Sequence, residues 1–165
     1  MQRFVPEIGT HIRLTADWSF CFQDEYRNRD VWKALKLDQN PTVLAQKKTM
    51  EMNVAERDRL AQIVPLKDPD MVAQLRELTE ATNWHRRVLT APVTLPKETL
   101  LSVDRTDLGG HASDLSSITF RIDETSYREL MPAVRGGLFR RRGYRFWVGL
   151  GDLNTMQFKV EPRAR

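Results

Sequence analysis

From Ser116 to Ile122 every second residue is large and apolar: Ile118, Phe120 and Ile122 alternate with Ser117, Thr119 and Arg121. A period of two gathers the first three side chains on one side of an extended strand, whereas a helix would scatter them around its circumference. This stretch therefore has to be a strand with one buried face. The pattern recurs at Thr10 to Thr15, Ser19 to Gln23, Thr99 to Asp107, Tyr144 to Leu150 and Thr155 to Val160. Ala16-Asp17-Trp18 reads as a tight connection, and Gly151-Asp152-Leu153-Asn154 reads as a hairpin between the last two strands.

Between the second and third of these strands the period changes. Asn28 can cap a short helix with Val31, Trp32 and Leu35 on its apolar side, and Asn40-Pro41 reads as its stop. Residues 42–90 read as a helical insertion. Asn53 to Glu56 has capping-box spacing for a helix running to about Ile63, and Asp68-Pro69 starts another with Met71, Val72, Leu75 and Leu78 as its stripe. A further short helical stretch is expected within Glu124 to Val134. The expected fold is α+β: a small antiparallel, SH3-like barrel or bent sheet of about six strands. It forms a single domain over residues 1–165, interrupted by the insertion.

At 165 residues the chain can bury a core without disulfides, and its one cysteine, Cys21, rules out any pairing within the chain. Met1 to Thr10 lacks an apolar run and no stretch nears eighteen apolar residues, so neither secretion by a standard signal nor membrane spanning is expected. A cytoplasmic setting follows as the expectation.

Charge is distributed unevenly. From Ala133 to Arg165, eight basic residues (Arg135, Arg140, Arg141, Arg142, Arg145, Lys159, Arg163 and Arg165) face only Asp152 and Glu161, a balance of +6. The rest of the chain holds 18 basic and 20 acidic side chains, or −2. Arg135, Arg140, Arg141, Arg142 and Arg145 are interleaved with Phe139, Tyr144, Phe146 and Trp147. If Phe146 and Val148 point inward, Arg145 and Trp147 share the outer face. Guanidinium forks suit phosphate, and aromatic faces can stack on unpaired bases. A solvated loop beside a covered tryptophan has the same composition, and an acidic protein surface offers arginine the same chemistry as phosphate. No established nucleic-acid-binding signature accompanies the arginines.

Other constellations are weaker. Asp104, Asp107, His111 and Asp114 surround Gly109-Gly110 and could hold a divalent ion for hydrolysis, but their spacing matches no metal motif and also suits an ordinary loop. His11, His85 and His111 are dispersed, and there is no nucleophile elbow, phosphate loop or dinucleotide turn. Cys21 has no base near it in sequence. Trp84-His85-Arg86-Arg87 either caps a helix end or extends the basic surface. No cofactor, metal or catalytic residue is assigned, and a non-enzymatic binding protein is expected. A protein–protein adaptor or host-factor inhibitor, with the helical insertion or a barrel edge as its surface, is the alternative, favoured if Met71, Leu75 and Leu78 form an exposed apolar patch; a metal-dependent hydrolase is a third.

Ile8 to Phe20 (IGTHIRLTADWSF), continued by Glu25 to Asn28, is similar to the opening of a group of small phage-type proteins of uncharacterised activity. Leu95-Pro96 with Thr99 to Arg105, then Ser117 to Phe120, then Arg145 to Val148 with Asp152 and Asn154, resembles the second half of that group. The resemblance spans about half the chain in patches and misses the helical middle. It departs at Lys97-Glu98, where a glycine is expected before Thr99. It implies a phage origin and transfers no catalytic residue.

Overall fold

The computed structural model describes residues 6–62, 69–82, 88–108, 115–131 and 143–162. Its strands are β1 (His11–Leu14), β2 (Trp18–Gln23), β3 (Thr90–Leu95), β4 (Leu100–Leu108), β5 (Leu115–Glu124), β6 (Arg145–Gly149) and β7 (Phe158–Glu161). Its helices are α1 (Arg29–Ala34), α2 (Pro41–Ala61), α3 (Pro69–Ala81) and the single turn α4 (Leu150–Leu153). The fold is α+β, with antiparallel pairing throughout the five-stranded sheet. The chain divides into two compact units, Met1–Lys36 with Pro92–Arg165, and Leu37–Ala91.

In the first unit β6-β5-β4-β1-β7 form one sheet, and β2 pairs with β3 in a second. Among the described residues the two sheets do not join into a closed barrel. The alternation seen in the sequence sets the core. Ile118, Phe120 and Ile122 of β5 are fully buried, together with Ile12, Leu14, Leu101, Val103, Phe146 and Val148 from the neighbouring strands. From β2, Trp18, Phe20 and Phe22 bring their rings against this layer. Phe146 lies 6.4, 5.9 and 6.0 Å from them and 5.8 Å from Phe120, centroid to centroid. Such pairs contribute about 0.5–1.5 kcal/mol each beyond burial, so this aromatic cluster is a principal tie between the sheets.

The hairpin expected between the last two strands does not form, because β6 and β7 lie at opposite edges of the sheet. The buried Trp18 needs a partner for its indole N–H. It donates to Asp152 O at 3.1 Å and Thr155 Oγ1 at 3.2 Å, and Met156 is buried close by in sequence. The connector is held as a helical turn by these contacts. Nor are β1 and β2 hydrogen-bonded neighbours; Asp17 between them accepts from the Lys97 N–H at 2.7 Å. The period of two that returns at Ala91 also carries a strand that the sequence reading did not assign, β3, which contains Pro92. Ala91, Val93 and Leu95 point inward while Pro92 is exposed, a position an edge strand tolerates. The turn before β4 places Glu98 at φ 68, in the left-handed region that favours glycine.

In the second unit, Asn40-Pro41 starts a helix where the sequence suggested a stop. Asn40 Oδ1 accepts from the Thr42 N–H at 2.9 Å, and Pro41 takes the first helical position, where its missing N–H costs nothing. Asn53, read as a cap, lies inside this 21-residue helix. α3 does begin at Pro69 and packs on α2, with Met71, Leu75 and Leu78 half-buried. Gln46 closes Thr90, the first residue of β3: its amide accepts from the Thr90 N–H at 3.0 Å and donates to the Thr90 carbonyl at 2.9 Å. In the first unit the Glu124 to Val134 stretch holds one 3-10 turn, Arg128–Leu130, and 132–134 lie outside the described residues.

Candidate binding face

The outer face of the five-stranded sheet is polar on every strand, because alternation sends the complementary residues outward. The burial pattern of β6 puts Arg145 and Trp147 on this face, with Phe146 and Val148 buried behind them. Registry then sets Arg145 directly opposite Arg121 of β5, and Trp147 opposite Thr119. Like charges in that relationship repel. Asp104 relieves the repulsion. It is the extra residue of a bulge between Val103 and Arg105, and its carboxylate accepts from Arg121 Nη2 at 2.8 Å and pairs with Arg145 Nε at 3.2 Å. Arg121 is 16% exposed and Arg145 56%, so Arg145 is the member that solvent or a partner reaches.

A second arginine pair shares a second aspartate. Arg105 Nε lies 2.8 Å from Asp107, and Arg27 Nη1 lies 3.1 Å from its other oxygen. Arg27, in the 3-10 turn Tyr26–Asn28, also pairs with Glu25 at 3.1 Å. Its guanidinium sits 4.5 Å from the Trp147 ring centroid and 5.9 Å from that of Tyr26, giving an aromatic–cation–aromatic stack. Tyr26 is 79% exposed. The Trp147 indole N–H is buried and makes no hydrogen bond with a described residue.

Asn28 fixes the edge of β6 beneath the stack. Its Oδ1 accepts from the Trp147 N–H at 2.8 Å, while its Nδ2 donates to Gln23 O at 3.0 Å and Trp147 O at 3.5 Å. Asn28 precedes α1, but its side chain makes no helix-capping bond, contrary to the sequence reading. Gly143, at the entry to β6, allows close contact. A Cβ there would collide with the Ile122 carbonyl oxygen, so β6 could not be entered by any other residue in this geometry. The next residue, Tyr144, is half-buried, and its carbonyl accepts from the Ile122 N–H at 3.0 Å.

The far half of the face is also paired. Arg13 of β1 donates to Glu161 of β7 at 2.9 Å and to Glu124 at 3.4 Å. These bonds push the Glu161 carboxyl below its ordinary pKa range and the Arg13 guanidinium above its own. His11 Nε2 stands 3.8 Å from Asp123 Oδ2, beyond hydrogen-bond range. Each described cation on this face and in the turn above it (Arg13, Arg27, Arg105, Arg121, Arg145 and Lys159) has a carboxylate within 4 Å.

Of the arginines singled out in the sequence, Arg145 lies on this face, with Trp147 beside it and Tyr144 just before. Arg135, Arg140, Arg141 and Arg142 lie outside the described residues, as do His85, His111, Asp114 and Trp84 to Arg87. In the described part of the basic segment, 143–162, Arg145 and Lys159 balance Asp152 and Glu161. The excess of six is carried by Arg135, Arg140, Arg141, Arg142, Arg163 and Arg165. Asp104 and Asp107, considered as metal ligands, spend their carboxylates on arginines. Among the described residues no three His, Cys, Asp or Glu side chains converge on a common point. Cys21 is exposed on β2, on the side away from Phe20 and Phe22. Sequence reasoning missed Tyr26 and Arg27 as parts of the face. An aromatic–Arg pair two residues past a strand was the available signal, but nothing local tied it to Trp147.

No family model, curated protein or solved structure matches the chain. Among the described residues no helix is long and apolar enough to cross a membrane.

Proposed function

We propose that this is a non-enzymatic binding protein of phage origin, acting in the host cytoplasm, that contacts nucleic acid through an arginine and aromatic surface. The observation that carries the reading is the distribution of charge along the sequence: six arginines with no acidic residue in their own stretches precede and follow residues 143–162, where the described cations Arg145 and Lys159 are paired with carboxylates. Arg135 and Arg140 to Arg142 would neutralise phosphates. Tyr144, Arg145 and Trp147, with Tyr26 beside them, would supply stacking and hydrogen bonds to unpaired bases. The phage origin rests on the resemblance of Ile8 to Phe20 and the later segments, and the cytoplasmic setting on the single cysteine, Cys21, and the lack of a long apolar run in the sequence. The fold reading that accompanies it is an SH3-like barrel left open, supported by the rings of β2 packing across Phe120 and Phe146.

Binding to single- and double-stranded oligonucleotides across a salt series tests the proposal. Affinity should fall steeply with salt, and replacing Arg140, Arg141 and Arg142 with Ala should flatten that dependence. No binding at low salt would remove it.

A second reading, a protein–protein adaptor, is favoured by one observation in the helical unit. Leu44 and Met52 of α2 and Val72 of α3 are exposed, while Met71, Leu75 and Leu78 are half-buried. A complex captured from host lysate that survives nuclease and is lost on Met52→Glu would support it over the first.

A further inference from the structure

Hydrogen-bond alternation fixes which way each residue of β7 presents its backbone. In an antiparallel pair, residues bonded to the partner alternate with residues whose N–H and C=O point away from it. The Thr15 N–H donates to Gln157 O at 2.9 Å, and Arg13 and His11 stand opposite Lys159 and Glu161. Stepping by two from Thr15 and Gln157 makes these the bonded pairs. The other side of β1 agrees. Leu14 exchanges bonds with the turn before β4, donating to Thr99 O and accepting from the Glu98 N–H, so Leu14 and Ile12 direct their backbones away from β7.

Val160 is opposite Ile12 and so turns its N–H and C=O outward from the sheet, on a strand that is last in the sheet order among the described residues. Its side chain is 52% exposed. Elsewhere the outward groups of Trp147 are met by Asn28 and those of Thr90 by Gln46. Val160 is flanked by Lys159 and Glu161, opposite charges that share the other face of the strand.

We propose that β7 is a self-association edge, on which a second copy of this chain pairs its own β7 antiparallel about a twofold axis at Val160. Two observations select this occupant and this register. First, with Val160 opposite Val160 of the second copy, the outward N–H and C=O groups exchange reciprocal bonds on the axis. Second, Lys159 then stands opposite the second copy's Glu161 on both sides, an attractive pair made twice by symmetry. Moving the register two residues either way sets Lys159 against Lys159 or Glu161 against Glu161. Pro162 has no N–H and ends the ladder. The pairing extends the five-stranded sheet across two molecules and is independent of the nucleic-acid reading.

Sedimentation equilibrium of the full chain from about 1 μM to about 1 mM, where weak associations titrate, provides the test. The mass should rise from 19.2 kDa toward twice that value. Val160→Pro removes an N–H that β1 does not use, a substitution an edge strand accepts, and should leave a monomer with the far-UV spectrum of the parent. A parent chain that stays monomeric, or a Val160→Pro variant that associates as the parent does, overturns the proposal. If Val160→Pro fails to fold, Lys159→Glu decides. It sets two carboxylates opposite each other on both sides of the axis and should weaken association about tenfold or more, with high salt relieving the loss. Unchanged association of that variant also overturns the proposal.

Discussion

The side-chain amide of Asn28 engages the backbone of Trp147 as a neighbouring strand would, accepting from its N–H at 2.8 Å and reaching its carbonyl at 3.5 Å. An edge that could recruit another chain is closed by one buried side chain, and the same residue ties β6 to Gln23 at the end of β2. Asn28 thus joins the core to the candidate face, because the strand it closes carries both Phe146 and Trp147.

Asn28→Ala should destabilise the protein by on the order of 1–3 kcal/mol, since it leaves buried donors and acceptors unpaired. Urea unfolding followed by tryptophan fluorescence reads the change. A loss below about 0.5 kcal/mol, the range of ordinary surface substitutions, would mean that solvent replaces the amide and that the edge is open.

Acid should weaken the attachment of β7. The folded-state pKa of Glu161 is lowered, chiefly by its hydrogen bond from Arg13, so its contribution is present above the unfolded value. That contribution disappears as pH falls through the ordinary carboxylate range, near 4.5, and on through the lowered folded value. Glu161→Gln should therefore be less stable than the parent at neutral pH, and the two should converge in acid. Urea midpoints measured against pH check this. A difference that stays constant with pH would show that Glu161 acts through packing alone. The pair is partly exposed, so added salt should shrink the neutral-pH difference.

What the sequence made legible was the local pattern. Ile118, Phe120 and Ile122 required a strand, and they are buried as alternation demands. Pro69 marked a helix start because a ring without an N–H suits the first turn and no later one. Asn40-Pro41 misled for the same physical reason, since a residue pair that ends one helix is equally suited to begin the next. The failed hairpin and the unseen face have a different cause. Trp18 meets Asp152, Arg27 meets Trp147 and Asp104 meets Arg121 across long stretches of chain, and no periodicity encodes such meetings. Arg145 and Trp147 could be assigned an outward direction from sequence. Their partners could not.

The left-handed turn at Glu98 provides a prediction in the stabilising direction. A side chain at φ 68 carries a steric cost that glycine avoids, while glycine loses more freedom on folding. Glu98 contributes backbone bonds here, donating to Leu14 O and accepting from Arg13 Nη1, and glycine keeps both. Glu98→Gly should stabilise by about 0.5–1 kcal/mol, visible as a higher melting temperature. A lower one would assign the Glu98 side chain a favourable role that outweighs the strain.

Asp104 offers a substitution for which stability and binding should move in opposite directions. Its carboxylate is the counter-charge shared by Arg121 and Arg145, which face each other on adjacent strands. Asp104→Asn keeps the size of the side chain and one acceptor but removes the charge, so the two guanidinium groups repel and stability should fall by about 1 kcal/mol. The same change frees an exposed arginine for phosphate. If single-stranded nucleic acid lies along this face, affinity at low salt should rise, and the slope of log affinity against log salt should steepen by about 0.7, the value of one added contact. Arg145→Ala should do the reverse, weakening binding and making the slope shallower by a similar amount. A variant that loses stability yet binds with unchanged slope would separate the face from the ligand and leave Arg135 and Arg140 to Arg142 as the whole of the phosphate-binding surface.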